Sequence, residues 1–212
     1  MHYDERLFEF WLLSVKPRFG SKNLIVVLVG ESASGKTTLA KKLEAESGFK
    51  RVVTYTTRPM RNGEHNGIDY NFIDKREFDE LVADDSFAEH ANYRGWDYGT
   101  IIDVDNNNDS VVVLTPSGAR SVRKYLSHWG YDKYNVIVVY LSVDRRSRLI
   151  KLLERGDNIE EAYRRSLSDV GQFDGFENEA DFVIQNSNYT KSVDEVYNEL
   201  LNYIDTTKEV FC

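Results

Sequence analysis

Four short apolar runs without alternating polar positions stand out along the 212-residue chain. Strands buried on both faces show this pattern, because helices cover both sides of a parallel sheet. Segments with helical periodicity lie between the runs, so strand and helix alternate along the chain. The runs span residues 24–29, 111–114, 136–141 and 182–184, and the helical segments span 36–47, 117–129, 145–155 and 193–204. The pattern predicts a three-layer α/β core around a parallel sheet.

Residues 54–100 do not follow this core pattern, because they are polar and rich in turn-forming residues. A short strand-like stretch occupies residues 70–73. Asp74 followed by Glu77 is the signature of a helix N-cap with a capping box, so a helix should begin there. We expect a small mixed α/β lobe inserted into the core.

Two further segments differ from the core. Residues 145–167 are polar and rich in arginine, and we expect a helical lid there. Residues 1–23 contain an apolar stretch that is too short to span a bilayer and lacks a signal-peptide cleavage site. It predicts a helical extension that packs on the body, with a partner or dimer contact as the alternative. The core then comprises residues 24–53, 101–144 and 168–212.

Composition narrows the classes of function. The formal net charge is −8, and no basic field suggests a nucleic-acid partner. The sequence likewise gives no indication of a membrane partner. The single cysteine, Cys212, permits no internal disulfide and favours a reducing compartment, so we expect a cytoplasmic protein. The length fits one compact unit, for which we expect a monomer or a weak homodimer.

A phosphate-binding motif follows the first apolar run. Residues 30–37 read Gly-Glu-Ser-Ala-Ser-Gly-Lys-Thr and match the spacing G-x-x-x-x-G-K-[ST]. Glycines let the backbone turn so that N–H groups point at phosphate oxygens, Lys36 adds a charge, and the Thr37 hydroxyl can bind Mg²⁺. The motif predicts a site for a nucleoside triphosphate with Mg²⁺. The assigned residues are Gly30, Ser32, Ser34, Gly35, Lys36, Thr37 and Thr38, with Thr37 as the metal ligand.

Two arginines suggest a second phosphate-bearing substrate. Arg58 and Arg61 flank Pro59, and the residue before a proline is disfavoured in helices. A guanidinium fork matches the geometry of phosphate better than an ammonium does. Residues 30–37 already serve the triphosphate, so this pair would bind another phosphate. The alternative is a pair of solvated surface arginines.

Four motifs occur in the order and spacing of the guanylate kinase family. They are the phosphate loop, Thr-Thr-Arg-Pro-Met-Arg-Asn-Gly-Glu, Asn-Gly-Ile-Asp-Tyr-Asn-Phe, and Phe-Ala-Glu followed by Asp-Tyr-Gly-Thr. The sequence resembles this family over about residues 24–204, most specifically over 30–100. The resemblance implies a P-loop kinase fold with a core, a nucleoside-monophosphate-binding lobe and a lid. It also implies transfer of the γ-phosphoryl group of ATP to GMP, giving GDP and ADP.

The resemblance also assigns the acceptor site. It implies that the GMP phosphate is held by Arg58, Arg61, Tyr70 and Tyr98, and that the guanine is faced by Thr54, Glu89 and Thr100. Chemistry supports Glu89 independently, because its carboxylate can accept hydrogen bonds from N1–H and the 2-amino group of guanine, a donor pair that adenine lacks. The alternative for Glu89 is an exposed surface acid. Deoxy-GMP is a further candidate acceptor.

The lid would supply catalytic arginines. The resemblance places one at Arg155 and the other near Arg164 and Arg165, because Ser166 stands where an arginine is expected. Such groups neutralise the charge of the transferred phosphoryl group. The predicted catalytic residues are Lys36, Arg58, Arg155 and Arg165. The alternative for each lid arginine is a solvated position on a helix.

The chain departs from the family at one strand end. An acidic-x-acidic pair is usual just before the glycine that matches Gly118, but this chain has Val113 and Thr115 there. This departure and the N-terminal extension leave two alternatives open. One is a guanylate-kinase-like binding or regulatory module with little turnover, and the other is a P-loop kinase of another small phosphate.

Overall fold

The computed structural model describes residues 23–211 except 62, 94, 104–107, 129, 132–134, 155 and 157. The predicted N-terminal helix and the lid residue Arg155 therefore lie outside the described residues. The strands are β1 (Ile25–Val29), β2 (Lys50–Arg51), β3 (Tyr55–Thr56), β4 (Asn71–Phe72), β5 (Glu89–Tyr93), β6 (Trp96–Thr100), β7 (Ser110–Val113), β8 (Val136–Ser142) and β9 (Phe182–Gln185). The helices are α1 (Lys36–Ser47), α2 (Lys75–Ala83), α3 (Pro116–His128), α4 (Arg145–Glu154), α5 (Ile159–Asp169) and α6 (Val193–Phe211).

The core is a parallel five-stranded sheet covered by helices on both faces. Its strand order is β2-β7-β1-β8-β9, so β1 lies at the centre. Val26 and Leu28 pack with residues of α1 and α6 on one face, and Val27 packs with residues of α3 on the other. The predicted three-layer α/β architecture is confirmed, because buried strands of this kind need a helical layer on each side.

The inserted segment contains a second sheet with the order β4-β3-β6-β5. Strands β5 and β6 form an antiparallel hairpin in which Glu89 lies directly opposite Thr100. The predicted strand at 70–73 is present as the shorter β4. The sequence analysis missed the hairpin, because β5 reads Glu-His-Ala-Asn-Tyr, which has no apolar run and no regular apolar–polar alternation.

Helix α2 begins with the predicted capping box. The Asp74 carboxylate accepts a hydrogen bond from the Glu77 N–H at 2.8 Å, and Glu77 accepts one in return from the Asp74 N–H at 3.1 Å. This reciprocal pair satisfies two N–H groups that a helix start would otherwise leave unpaired. The helix buries Phe78 against the lobe sheet, beside the ring of Phe87.

The predicted lid segment consists of α4 and α5, which contact each other. Helix α5 extends to Asp169, two residues beyond the expected boundary at 167. The division into core, lobe and lid as separately moving units stays a prediction. Among the described residues, no helix combines the length and apolarity that crossing a membrane requires.

Gly99 keeps β6 close to the aromatic centre of the lobe. A Cβ atom at this position would lie 2.6 Å from Cε1 of Phe87, a ring that is buried between Tyr55 and Phe78. We expect Gly99→Ala to lower the free energy of unfolding by about 1–3 kcal/mol, because the ring has little room to retreat. Urea unfolding measures this change.

The overlap with Phe87 can be isolated with a second variant. Phe87→Leu removes ring atoms from the point of overlap, so the double variant should lose less stability than the sum of the two single changes. Additive losses would show that Gly99 is needed for a reason other than the Phe87 ring.

Candidate functional site

A cavity of about 930 Å³ lies between the carboxyl edge of the core sheet, the lobe sheet and α5. Its wall contains predicted site residues from all three parts: Gly30, Ser32 and Lys36 from the loop, Thr54, Arg58, Arg61, Tyr70, Glu89 and Tyr98 from the lobe, and Arg165 from α5. The folded chain therefore gathers the predicted triphosphate site and the predicted monophosphate site around one space.

The phosphate loop is shaped by close packing at its start and by backbone conformation at its end. A Cβ atom at Gly30 would lie 2.7 Å from the carbonyl oxygen of Leu141 in β8, so only glycine fits. Gly35 has φ +99°, a conformation that favours glycine, and it leads directly into α1. The exposed Thr37 and Thr38 lie in the first turn of α1, at the positive end of the helix.

Lys36 folds back over the loop. Its Nζ donates to the carbonyl oxygens of Gly30 at 2.6 Å and Glu31 at 2.8 Å, and it lies 3.4 Å from the hydroxyl of the buried Ser34. Burial lowers the pKa of Lys36 to about 8, although the carboxylates of Asp169 and Glu31 oppose this shift. The ammonium group is thus mainly protonated at pH 7 and is close to its titration range.

A buried ionic cluster lies beside the loop. The Ser32 N–H donates to Oδ2 of Asp169 at 2.8 Å. Arg148 is 3.5 Å from the same oxygen and 3.3 Å from a carboxylate oxygen of Glu31, and its Nε donates to the Val143 carbonyl. Arg148 is buried in this cluster, so this arginine of α4 does not occupy a solvated position on the helix.

The sequence analysis missed Asp169 and Glu31. Glu31 stands at a position of the loop motif where any residue is allowed, and Asp169 is 137 residues from its partner Ser32. Neither position carries a local signal of this role.

Arg58 is held by a carboxylate of the lobe. Its Nη2 donates to both carboxylate oxygens of Glu64, at 2.8 and 3.0 Å, and its guanidinium lies 5.3 Å from the centre of the Tyr70 ring. Burial is the largest single influence and opposes the charge on both partners, but their hydrogen bonds and mutual attraction together outweigh it, raising the pKa of Arg58 and lowering that of Glu64. A solvated position is therefore wrong for Arg58, which is only 7% exposed.

Arg61 shares the same carboxylate through its backbone. Its N–H donates to Oε2 of Glu64 at 2.7 Å, whereas its side chain is exposed at the cavity wall. Glu64 therefore fixes the relative positions of the two arginines. The sequence analysis quoted Glu64 within a motif without assigning it a role; an acid three residues after Arg61 was the available signal.

Two tyrosines complete this part of the wall. The rings of Tyr70 and Tyr98 meet edge to face, with centroids 6.0 Å apart. Burial raises the pKa of Tyr70, so its hydroxyl stays protonated at neutral pH and can donate to an oxyanion.

Glu89 borders the cavity from β5. Its Oε1 accepts a hydrogen bond from the Thr100 hydroxyl at 2.6 Å, and burial raises the pKa of Glu89 while this hydrogen bond opposes the rise. Thr100 is fully buried and is not among the residues that line the cavity, so its contact with a base stays a prediction. Thr54 lies on the wall as expected.

The lid side of the cavity carries Arg164 and Arg165, both from α5. Val113 and Thr115 also border it, where the family usually has two acids. Thr115 instead caps α3, since its hydroxyl oxygen accepts a hydrogen bond from the Gly118 N–H at 3.2 Å. No group of three His, Cys, Asp or Glu side chains able to hold a metal ion occurs within the described part of the chain.

Comparison with known proteins identifies the family. The family model described as guanylate kinase matches residues 22–207. The chain belongs to the guanylate kinase family. This membership confirms the predicted enzyme class, a nucleoside monophosphate kinase.

Relatives in this family cover most of the chain. The guanylate kinase of Legionella pneumophila (strain Lens) is 34% identical over 184 residues, spanning 83% of this chain and 84% of that protein. The guanylate kinase of Symbiobacterium thermophilum is 33% identical over 181 residues, spanning 82% of this chain and 83% of that protein.

A solved structure supports the fold of this guanylate kinase family member. The crystal structure of guanylate kinase from Anaplasma phagocytophilum superposes with a TM-score of 0.62 at 22% sequence identity. The match covers 88% of this chain and 87% of that chain. The predicted P-loop kinase fold is confirmed at the level of architecture.

The pKa of Lys36 predicts how triphosphate binding depends on pH. Because polyphosphate favours the protonated lysine, the association constant for ATP should fall as pH rises above about 8, by up to about tenfold per pH unit. Below pH 8 the lysine is already charged and the constant should level off. Calorimetric titration with ATP from pH 7 to 9.5 measures the profile.

Lys36→Met is the matched control, because it keeps much of the length of the side chain without its charge. This variant should bind ATP more weakly and lack the decline above pH 8. An unchanged decline in Lys36→Met would assign the titration to another group.

Proposed function

We propose that this protein transfers the γ-phosphoryl group of ATP to GMP, giving ADP and GDP. The single observation that carries the proposal is the shared cavity, which joins a phosphate loop to a pocket containing Arg58 and Glu89. One space of this size can place a triphosphate and a monophosphate in contact, as direct phosphoryl transfer requires. Membership in the guanylate kinase family supports the same reaction.

The donor half-site would be the loop and the start of α1. Backbone N–H groups from Gly35 onward would face the phosphates of ATP, and Lys36 would exchange its carbonyl acceptors for phosphate oxygens. Mg²⁺ fits this site through the exposed Thr37 hydroxyl together with phosphate oxygens and water. When bound, the ion would neutralise phosphate charge and orient the triphosphate.

The acceptor half-site would lie in the lobe. Arg58, Arg61, Tyr70 and Tyr98 would bind the phosphate of GMP. Glu64 would either keep Arg58 in place or be replaced by the phosphate as the acceptor of the Arg58 hydrogen bonds. The guanine would lie against Glu89 and Thr54, with Thr100 orienting the carboxylate.

Catalysis would consist mainly of positioning and charge neutralisation. A phosphate oxygen of GMP forms a bond to the γ-phosphorus as the bond to the β–γ bridging oxygen breaks, and ADP leaves with that oxygen. Lys36 and Arg58 would stabilise the charge around the moving group, with Arg165 and Arg155 approaching from the lid. Bringing the lid closer would exclude water and limit hydrolysis of ATP.

A binding module with little turnover is the second candidate. The observation in its favour is that carboxylates already occupy groups expected to bind phosphate: Asp169 accepts from Ser32, and Glu64 accepts from Arg58. Strong retention of these contacts would weaken substrate binding. The intact phosphate loop favours the enzyme.

Measuring ADP formation from ATP and Mg²⁺ tests the proposed reaction. GMP should support turnover, with AMP, CMP, UMP and dGMP as parallel acceptors and Lys36→Ala as the blank. Activity should fall by at least about a thousandfold in Lys36→Ala, because the variant lacks the positive charge that Lys36 would place beside the transferred phosphoryl group. Folded protein that binds ATP but turns over no acceptor would favour the binding module.

Glu89 should decide the choice of base. Glu89→Gln keeps the shape but replaces one acceptor oxygen by an NH₂ group, which cannot accept from guanine. We expect the KM for GMP to rise about 10–100-fold, equivalent to about 1–3 kcal/mol, while the KM for ATP changes less than twofold. Steady-state kinetics with each substrate varied in turn measures both constants.

Glu80→Gln provides the control, because Glu80 is an exposed acid on α2 in the same lobe. This change should leave both KM values unaltered. If Glu89→Gln retains full selectivity for GMP over AMP, the assignment of Glu89 to the base is rejected.

A further inference from the structure

Gly118 lies in the first turn of α3, where nothing in the backbone calls for glycine. Its φ is not positive, unlike that of Gly130 after the same helix. Glycine in a helix is less favourable than alanine by up to about 1 kcal/mol. Since conformation does not explain the glycine, its surroundings must.

The missing side chain leaves room for Glu89. A Cβ atom at position 118 would lie 3.2 Å from Oε2 of Glu89 and 3.4 Å from its carboxylate carbon. The same atom would lie 3.4 Å from Cβ of Leu114, which is buried and fixed close to the backbone. A methyl group at 118 would therefore press on the Glu89 carboxylate, the neighbour best able to move.

Glu89 cannot move without losing its other contact. Its Oε1 is bound to the Thr100 hydroxyl at 2.6 Å, directly across the β5–β6 pair. The carboxylate is therefore held on one side by the lobe and limited on the other by the core helix. A shift of the carboxylate by a few tenths of an ångström would strain its hydrogen bond with Thr100 or rotate Oε2 out of its present position.

The start of α3 also favours the ionised carboxylate. Helix N-termini carry partial positive charge, and Glu89 lies against this first turn. This effect opposes burial, which raises the pKa of Glu89. Close approach to the helix thus helps keep both carboxylate oxygens as acceptors.

We propose that Gly118 is a positioning residue for base selection: the absence of its side chain lets Glu89 lie against α3 with Oε2 directed for a guanine. This inference rests on the proposed function and deepens it. Gly118 is not among the residues that line the cavity, so it would act through Glu89.

Kinetics of Gly118→Ala test the inference. The KM for GMP should rise about five- to twentyfold, whereas kcat and the KM for ATP should change less than twofold. The melting temperature should change little, because the gain from alanine in the helix offsets the strain on the contact between Glu89 and Thr100. A lower melting temperature with impaired kcat and both KM values altered would indicate a general structural role and overturn the inference.

Double-variant kinetics show whether Glu89 transmits the effect. Glu89→Asp withdraws the carboxylate by one methylene, so adding Gly118→Ala to it should cost less than twofold in the KM for GMP. Ser121→Ala, an exposed change one turn further along α3, is the matched control and should leave GMP kinetics unchanged. An equal penalty from Gly118→Ala in the wild-type and Glu89→Asp backgrounds would exclude the route through Glu89.

Failure of this inference is separable from failure of the proposed function. If the wild-type protein uses GMP but Gly118→Ala has an unchanged KM, only the role of Gly118 is rejected. If the wild-type protein does not turn over GMP, the proposed reaction fails, and calorimetric Kd values for GMP replace KM. Equal Kd values, or no measurable GMP binding by the wild type, would then overturn the role of Gly118.

Discussion

The central position of β1 is the constraint on which the rest of the site depends. Residues 26–29 have no solvent exposure, because parallel strands flank them on both sides and helices cover both faces. The chain leaves this sheet at Gly30, pressed against the Leu141 carbonyl, and turns directly into α1. Close packing at that exit fixes where the loop N–H groups and Lys36 lie. The position of the proposed donor half-site thus follows from how one buried strand ends.

The site is also organised by charge compensation. A buried charge without a partner costs several kcal/mol, so the chain supplies an acceptor for each buried cation described here. Loop carbonyls accept from Lys36, Glu64 accepts from Arg58, and Arg148 lies between Glu31 and Asp169. Phosphate binding would exchange the loop carbonyls at Lys36 and the Glu64 carboxylate at Arg58 for substrate oxygens. Net affinity then depends on the difference between two sets of contacts, which is smaller than either set alone.

Glu89, the residue proposed to select the base, lies where the lobe joins the core. Ala88, just before β5, and Ile102, just after β6, belong to the apolar cluster that contains the buried side of α3. Glu89 is consequently anchored by a lobe residue, Thr100, and bounded by a core residue, Gly118. A carboxylate held by both parts keeps its place relative to the core. The two arginines that we propose bind phosphate, Arg58 and Arg61, are by contrast positioned by Glu64 within the lobe itself.

The sequence by itself determined the features whose signals are local. Uninterrupted apolar runs specify buried parallel strands, the spacing from Gly30 to Thr37 specifies a phosphate loop, and the Asp74–Glu77 pair specifies a helix start. Only the tertiary structure decided which acids meet which cations, that Thr100 lies behind Glu89, and that the polar strand β5 pairs with β6. The contact between Ser32 and Asp169 joins residues 137 positions apart. The β5–β6 pair joins neighbouring segments, but the polar sequence of β5 does not show the pairing. Local spacing records backbone geometry, whereas a long-range hydrogen bond leaves no periodic trace in either segment.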